Sequence, residues 1–85
     1  MALTAAQRTT VRNAYITLGT NQSAYVPAGQ TATQWADAQL AMLDEMRAQT
    51  IDRSYYTLRV QPFITNRLSL TSTIRTAITN HVNGA

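Results

Sequence analysis

The chain has 85 residues, no cysteine and a formal net charge of +3, and its length is that of one domain. Only 13% of its residues are charged, about half the usual share of ~25%, so its surface is poorly protected against association. No apolar run approaches the ~18 residues of a membrane span, and the N-terminus lacks the basic and apolar regions of a secretory signal. We therefore expect a cytoplasmic location, or a particle assembled in a cytoplasm.

The pattern of apolar residues predicts an all-α domain, a small bundle of three main helices whose middle helix is broken near residue 52. The first helix is predicted over residues 4–18. Thr4 and Gln7 have the spacing of a capping box, and Gly19 is a natural stop just beyond the last apolar position. One face of this helix carries Leu3, Val11, Ala14, Tyr15 and Leu18.

Residues 19–34 contain no charged side chain, and a loop is expected over residues 19–32, with Pro27 and Gly29 as helix breakers. The loop nevertheless carries Tyr25 and Val26, two residues that are costly to leave in water. They dock either on the chain's own fold or on an adjacent copy, and both interpretations are compatible with the sequence.

The second helix is predicted over residues 33–49, with Thr31 and Gln34 again at capping-box spacing. Its apolar side carries Trp35, Met42, Leu43 and Met46, of which Trp35, Met42 and Met46 are expected in the core. Asp37 and Asp44 lie on the opposite side, which is interpreted as a plain acidic face.

Residues 51–60 are predicted as a short helical segment, because Ile51, Tyr55 and Leu58 follow helical spacing. Asp52 or Ser54 is expected to begin it. The alternative is a strand at residues 56–60, but an isolated strand is not stable in water.

The last helix is predicted over residues 62–82, with Pro62 in its first turn. Its core face carries Phe63, Leu70, Ile74, Ala77, Ile78 and His81. The opposite side forms a continuous uncharged stripe of Thr65, Ser69, Ser72, Thr76, Thr79 and Asn83.

A solvated helix face normally carries lysine and glutamate, so this stripe indicates either a threonine-rich composition or a packing face for a neighbouring subunit. The second interpretation predicts a partner interface. Its members are Tyr25, Val26, Thr65, Ser69, Ser72, Thr76 and Thr79.

The sequence predicts no catalytic residue, no cofactor site and no metal site. His81 is the only histidine, and on the apolar side of a terminal helix we expect it to be packed. A histidine that acts as a general base usually has an orienting carboxylate, and no acid is near His81 in the sequence. Asp44 and Glu45 are adjacent, so on a helix they point about 100° apart and do not form a pair.

A basic nucleic-acid-binding protein is the alternative function. All seven cations are arginines and the pI is about 10.0, and possible phosphate contacts are Arg8, Arg12, Arg67 and Arg75. A net charge of +3 is modest for binding through counterion release. The acids lie in the middle third of the chain, and they pair with the arginines either within the chain or between copies.

The stretch "ALTAAQRTTVRNAYITLG" resembles the opening of small bacteriophage virion proteins, head–tail connector and neck proteins in particular. The matching residues are Leu3, Thr4, Gln7, Val11 and Arg12, and the match covers about a fifth of the chain. The resemblance implies a non-enzymatic structural subunit of a virion whose partners are its own copies and other virion proteins. It implies no membrane and no small-molecule substrate. Residues after Gly19 depart from the pattern, so a capsid-associated or decoration role is equally open.

Overall fold

The computed structural model describes residues 1–85, all-helical and without strands. Helix α1 spans Ala5–Asn21 and α2 spans Ala32–Arg47. Helix α3 consists of three consecutive segments: one α-helical turn at Arg53–Tyr55, a π-helical segment at Tyr56–Val60 and an α-helical segment at Gln61–Arg67. Helix α4 spans Ser72–Val82. The predicted all-α class is confirmed, with four main helices instead of three because the last predicted helix is interrupted.

Helix α1 begins at the predicted capping box. The Gln7 N–H donates to Thr4 Oγ1 at 3.1 Å, and Thr4 N–H donates to Gln7 Oε1 at 2.9 Å. The predicted end at Gly19 is wrong, because the helix continues to Asn21. Gly19 is buried at a close contact, where a Cβ atom would lie 2.9 Å from Val26 Cγ2 and 3.0 Å from Trp35 Cε3. The glycine is needed for space, and the helix does not stop there.

We therefore expect Gly19→Ala to destabilise the protein, by about 1 kcal/mol. Overpacking a close contact costs roughly 1–3 kcal/mol. The better helix propensity of alanine offsets about 1 kcal/mol of this cost. Urea denaturation followed by circular dichroism measures the difference. The control is Thr20→Ala, an exposed position of the same helix. A Gly19→Ala variant as stable as this control would show that the contact relaxes freely.

Helix α2 also begins at its predicted capping box, between Thr31 and Gln34. Trp35, Leu43 and Met46 are buried as expected, whereas Met42 is only partly buried. The helix ends at Arg47, and the chain turns through Gln49, which has a φ of 65°. This turn is the predicted break near residue 52.

Helix α3 begins with Asp52, whose carboxylate accepts a hydrogen bond from Ser54 N–H at 2.9 Å. Pro62 explains the π-helical segment, since it has no N–H for the usual bond to Leu58 and its ring crowds that carbonyl. The wider turn is closed by Gln61 N–H, which donates to the Tyr56 carbonyl.

The wider turn changes which residues of α3 face the core. Buried side chains recur every four residues at Tyr56, Val60 and Ile64. Tyr55 and Leu58, whose spacing predicted a helical segment here, are instead 48% and 71% exposed.

The predicted continuous helix over residues 62–82 is also wrong. Leu68 adopts an extended conformation and is buried. Thr71 then starts α4, and its hydroxyl accepts a bond from Ile74 N–H at 3.3 Å. The predicted stripe is therefore divided between α3, the connection and α4.

The helices enclose one core, in which α1 and α4 both pack against α2. Its fully buried large side chains are Val11, Tyr15, Leu43, Met46, Ile64, Ile78 and Val82. No helix combines the length and the apolar character that crossing a membrane requires.

Candidate interaction surfaces

The hydroxyl residues of the predicted stripe converge on a groove between α3 and α4, although the continuous helix does not exist. This groove, the hydroxyl groove, has a volume of about 300 Å³. Its lining residues are Tyr56, Gln61, Ile64, Thr65, Ser72, Arg75, Thr76 and Thr79. Four of the six predicted stripe residues therefore lie in one place.

The side chains of the hydroxyl groove differ in exposure and in whether their hydroxyl groups are already hydrogen-bonded. Thr79 is partly buried, and its hydroxyl lies 2.8 Å from the Tyr56 hydroxyl in a hydrogen bond. Thr65, Ser72 and Thr76 are exposed, and their hydroxyls make no hydrogen bond to another side chain. The free hydroxyls can donate to or accept from a partner.

Arg75 lines the hydroxyl groove, whereas Ser69, a residue of the predicted stripe, lies outside it. Arg75 donates from Nη1 to the Leu70 carbonyl at 2.7 Å, which ties its guanidinium to the connection before α4. Ser69 does not line the hydroxyl groove. It lies in a separate polar depression with Arg67 and with residues of α1.

Tyr25 and Val26 dock on the chain's own fold, which is the first of the two interpretations of the loop. The Tyr25 ring stacks on Trp35 at 6.5 Å and meets Phe63 edge-on at 5.5 Å. Val26 covers Gly19. Both side chains remain half-buried, so their contribution to a partner interface stays a prediction.

Beside Tyr25 lies a second groove, between α2 and α3, which we call the aromatic groove. Its volume is about 250 Å³, and it is lined by five of the six aromatic residues of the chain. The lining residues are Tyr15, Tyr25, Trp35, Gln39, Met42, Tyr55, Arg59, Val60 and Phe63. The sequence-based reasoning missed this groove because it placed Met42 in the core and put Tyr55 on a face rotated away from the apolar side of α2.

The arginines of α1 pair with acids of α2. Arg8 forms two hydrogen bonds to the Asp44 carboxylate, both at 2.8 Å, and Arg12 lies 2.6 Å from Asp37. These bonds lower the pKa of both carboxyl groups below its ordinary value. Asp37 and Asp44 thus pair inside the chain, and two of the four predicted phosphate contacts are engaged.

His81 is packed, as predicted, but the expectation that it lacks an orienting carboxylate is wrong. Leu3 N–H donates to Nδ1 at 3.0 Å, and Nε2 lies 2.8 Å from Asp44 Oδ1. Because Nδ1 accepts a bond, the proton of the neutral ring is on Nε2, which donates to Asp44. Folding brings His81 and Asp44 together across 37 positions of sequence, and His81 and Leu3 across 78.

The environment of His81 keeps the imidazole neutral. The residue is only 3% exposed, and burial lowers its pKa from the ordinary value of 6.5, against the opposing effect of Asp44. Both ring nitrogens are used for bonds within the fold. No three histidine, aspartate or glutamate side chains converge as metal ligands.

No protein-family model, curated protein or solved structure matches the chain.

Proposed function

We propose that the protein is a non-enzymatic structural subunit of a bacteriophage virion that functions through repeated protein–protein contacts. Its position would be in the neck, at the head–tail connector, or on the capsid as a minor or decoration protein. The observation that carries the proposal is the hydroxyl groove, an open surface whose exposed side chains are uncharged and, apart from Gln61, short. The resemblance of residues 2–19 to virion proteins supplies the setting.

The chemistry of the hydroxyl groove suits a surface that a neighbouring subunit covers. Thr65, Ser72 and Thr76 lose little side-chain entropy when they are covered. Their hydroxyls make hydrogen bonds to a partner backbone without the desolvation cost of a buried charge. A face built for water would carry lysine and glutamate instead.

The arrangement of the arginines favours this function over the alternative, nucleic-acid binding. Arg8 and Arg12 are paired with acids. Three further arginines bond to backbone carbonyl groups, and these are Arg47, Arg53 and Arg75. The acids neutralise the charges of Arg8 and Arg12, and the backbone bonds restrict three of the remaining guanidinium groups, which leaves few mobile cations for binding that depends on phosphate neutralisation.

We expect Ser72→Glu or Thr76→Glu to block incorporation into the particle while the helix content stays unchanged. Each variant places a charge in the hydroxyl groove, where a covering subunit would have to bury it at a cost of several kcal/mol. The measurement is co-purification with the assembled particle, together with circular dichroism of the isolated protein. Thr9→Glu is the matched control, because Thr9 is exposed on α1 and does not line the groove.

Normal assembly of both groove variants would contradict the proposal for this face. The nucleic-acid alternative has a different signature, namely an affinity that falls steeply with salt and weakens when Arg67 is replaced. Mass photometry of the purified protein, alone and with its native neighbours, separates a large assembly from a lone monomer.

A further inference from the structure

Helix α3 carries an apolar surface on the side away from the hydroxyl groove. Met1, Tyr55 and Leu58 are the large apolar residues that the chain leaves exposed, and two of them lie on one turn of α3. Tyr55 also forms part of the wall of the aromatic groove. Because the fold buries its other large apolar side chains fully or partly, apart from Met1, this pair is a candidate for burial by a partner.

The charges beside this apolar pair are opposite in sign and have no ionic partner. Asp52 precedes Tyr55 by about one helical turn, and Arg59 follows it by about one turn. Neither residue forms an ion pair within the chain. Asp52 uses one carboxylate oxygen to start α3, and Arg59 makes no hydrogen bond within the chain.

The order of these residues is self-complementary. When α3 lies antiparallel to a second α3 with residues 55 and 56 at the centre, Asp52 of each copy is opposite Arg59 of the other. A two-fold interface makes every contact twice, so both ion pairs form together around the apolar centre. We propose that a second copy of this chain covers the surface of α3, with Tyr55 and Leu58 buried between two Asp52–Arg59 pairs.

This inference rests on the proposed function, because it identifies a second copy of the chain as one partner in the protein–protein contacts proposed there. The surface is small, since a standard stable interface buries about 800 Å² per partner and the whole chain exposes 5023 Å². We therefore expect a weak dimer, with a Kd of roughly 10 µM–1 mM, which the local concentration in a particle would saturate.

The test uses two charge-reversal variants, Asp52→Arg and Arg59→Glu, and sedimentation equilibrium at protein concentrations up to about 1 mM. In each variant alone, both pairs between copies become repulsive, and self-association should weaken at least about tenfold. In an equimolar mixture the mixed dimer has two attractive pairs, so association should return to within about threefold of the wild type. Arg67→Glu, with the same charge change outside this surface, should associate like the wild type.

A wild type that stays monomeric up to about 1 mM would overturn the inference, as would a mixture that associates no better than the single variants. Circular dichroism of Asp52→Arg is needed because the variant loses a helix cap, which is worth about 1 kcal/mol. Arg59→Glu leaves the cap intact and tests the pair independently.

The results also separate this inference from the proposed function. A particle that needs Ser72 but incorporates Arg59→Glu normally would leave the proposed function standing and remove the α3 contact. In the opposite case the charge reversals weaken the dimer, but the Ser72→Glu and Thr76→Glu variants are incorporated normally. That result would leave the α3 contact standing and remove the proposed function of the hydroxyl groove.

Discussion

Replacing Trp35 with alanine should lower the free energy of unfolding by roughly 3–5 kcal/mol. Trp35 is 7% exposed and is the point where α1, α2 and the loop meet. Its ring lies edge-on to Tyr15 at 5.3 Å and stacks with Tyr25 at 6.5 Å. The truncation removes both aromatic contacts and leaves a cavity beside Gly19, which has no side chain to fill it.

The loss is large because a domain of this kind is stable by only ~5–15 kcal/mol. Urea denaturation followed by far-ultraviolet circular dichroism is the appropriate measurement, since the variant has no tryptophan to report by fluorescence. Leu58→Ala is the control, because Leu58 is 71% exposed and its truncation should change stability by less than about 0.5 kcal/mol. Equal effects for the two variants would show that the aromatic cluster does not support the fold.

Replacing His81 with alanine should cost roughly 2–4 kcal/mol. The variant leaves the buried N–H of Leu3 without its acceptor, which costs about 1–3 kcal/mol, and it opens a cavity between α4 and the N-terminal residues. The loss is measured by urea denaturation at neutral pH. Asn80→Ala, at the exposed neighbouring position, is the control and should stay close to the wild type.

His81 also predicts how stability depends on pH. The pKa of His81 is lowered in the folded state because the ring is buried, so the unfolded chain takes up the proton first as the pH falls. Its contribution is therefore complete above the ordinary pKa of 6.5 and is lost as the pH falls through 6.5 towards the folded-state pKa. Protonation would also turn Nδ1 from an acceptor into a donor, so the hydrogen bond from Leu3 N–H would be lost.

The charged groups around His81 do not reverse this direction. Asp44 opposes the shift, but its carboxylate is already engaged by Arg8, and Arg47 donates to the His81 carbonyl group at 3.0 Å. Asp44 has a lowered pKa, so it adds a second loss of stability only as the pH falls below its ordinary value of 3.8.

The control for the pH dependence is His81→Ala. The variant should show no decline of stability between about pH 7.5 and pH 5.5, where the wild type declines, because the responsible group is absent. A wild-type curve that is flat over this interval would contradict the proposed neutral state of His81.

Local features of the fold were predictable from the sequence. The two capping boxes at Thr4 and Thr31 were identified correctly because their hydrogen bonds join residues only three positions apart. The apolar stripe of α2 correctly placed Trp35 and Met46, since a regular helix keeps its period over many residues. The dominance of helix over strand followed from the same periodicity.

Errors began where the helix departs from its regular period. The π-helical segment before Pro62 buries Tyr56 and Val60, and the buried, extended Leu68 interrupts the last predicted helix. The spacing of apolar residues along the chain reports neither the wider turn that Pro62 causes nor the burial of Leu68.

The sequence by itself determined the all-helical class, the starts of α1 and α2 and the shortage of charge, because these depend on composition and on contacts within one turn. Only the tertiary structure decided which groups meet across the molecule. It joined His81 to Asp44 and Leu3, paired Arg8 and Arg12 with acids, and gathered divided hydroxyl residues into one groove. Such contacts follow from how helices pack in three dimensions, and residues far apart in sequence carry no local sign of them.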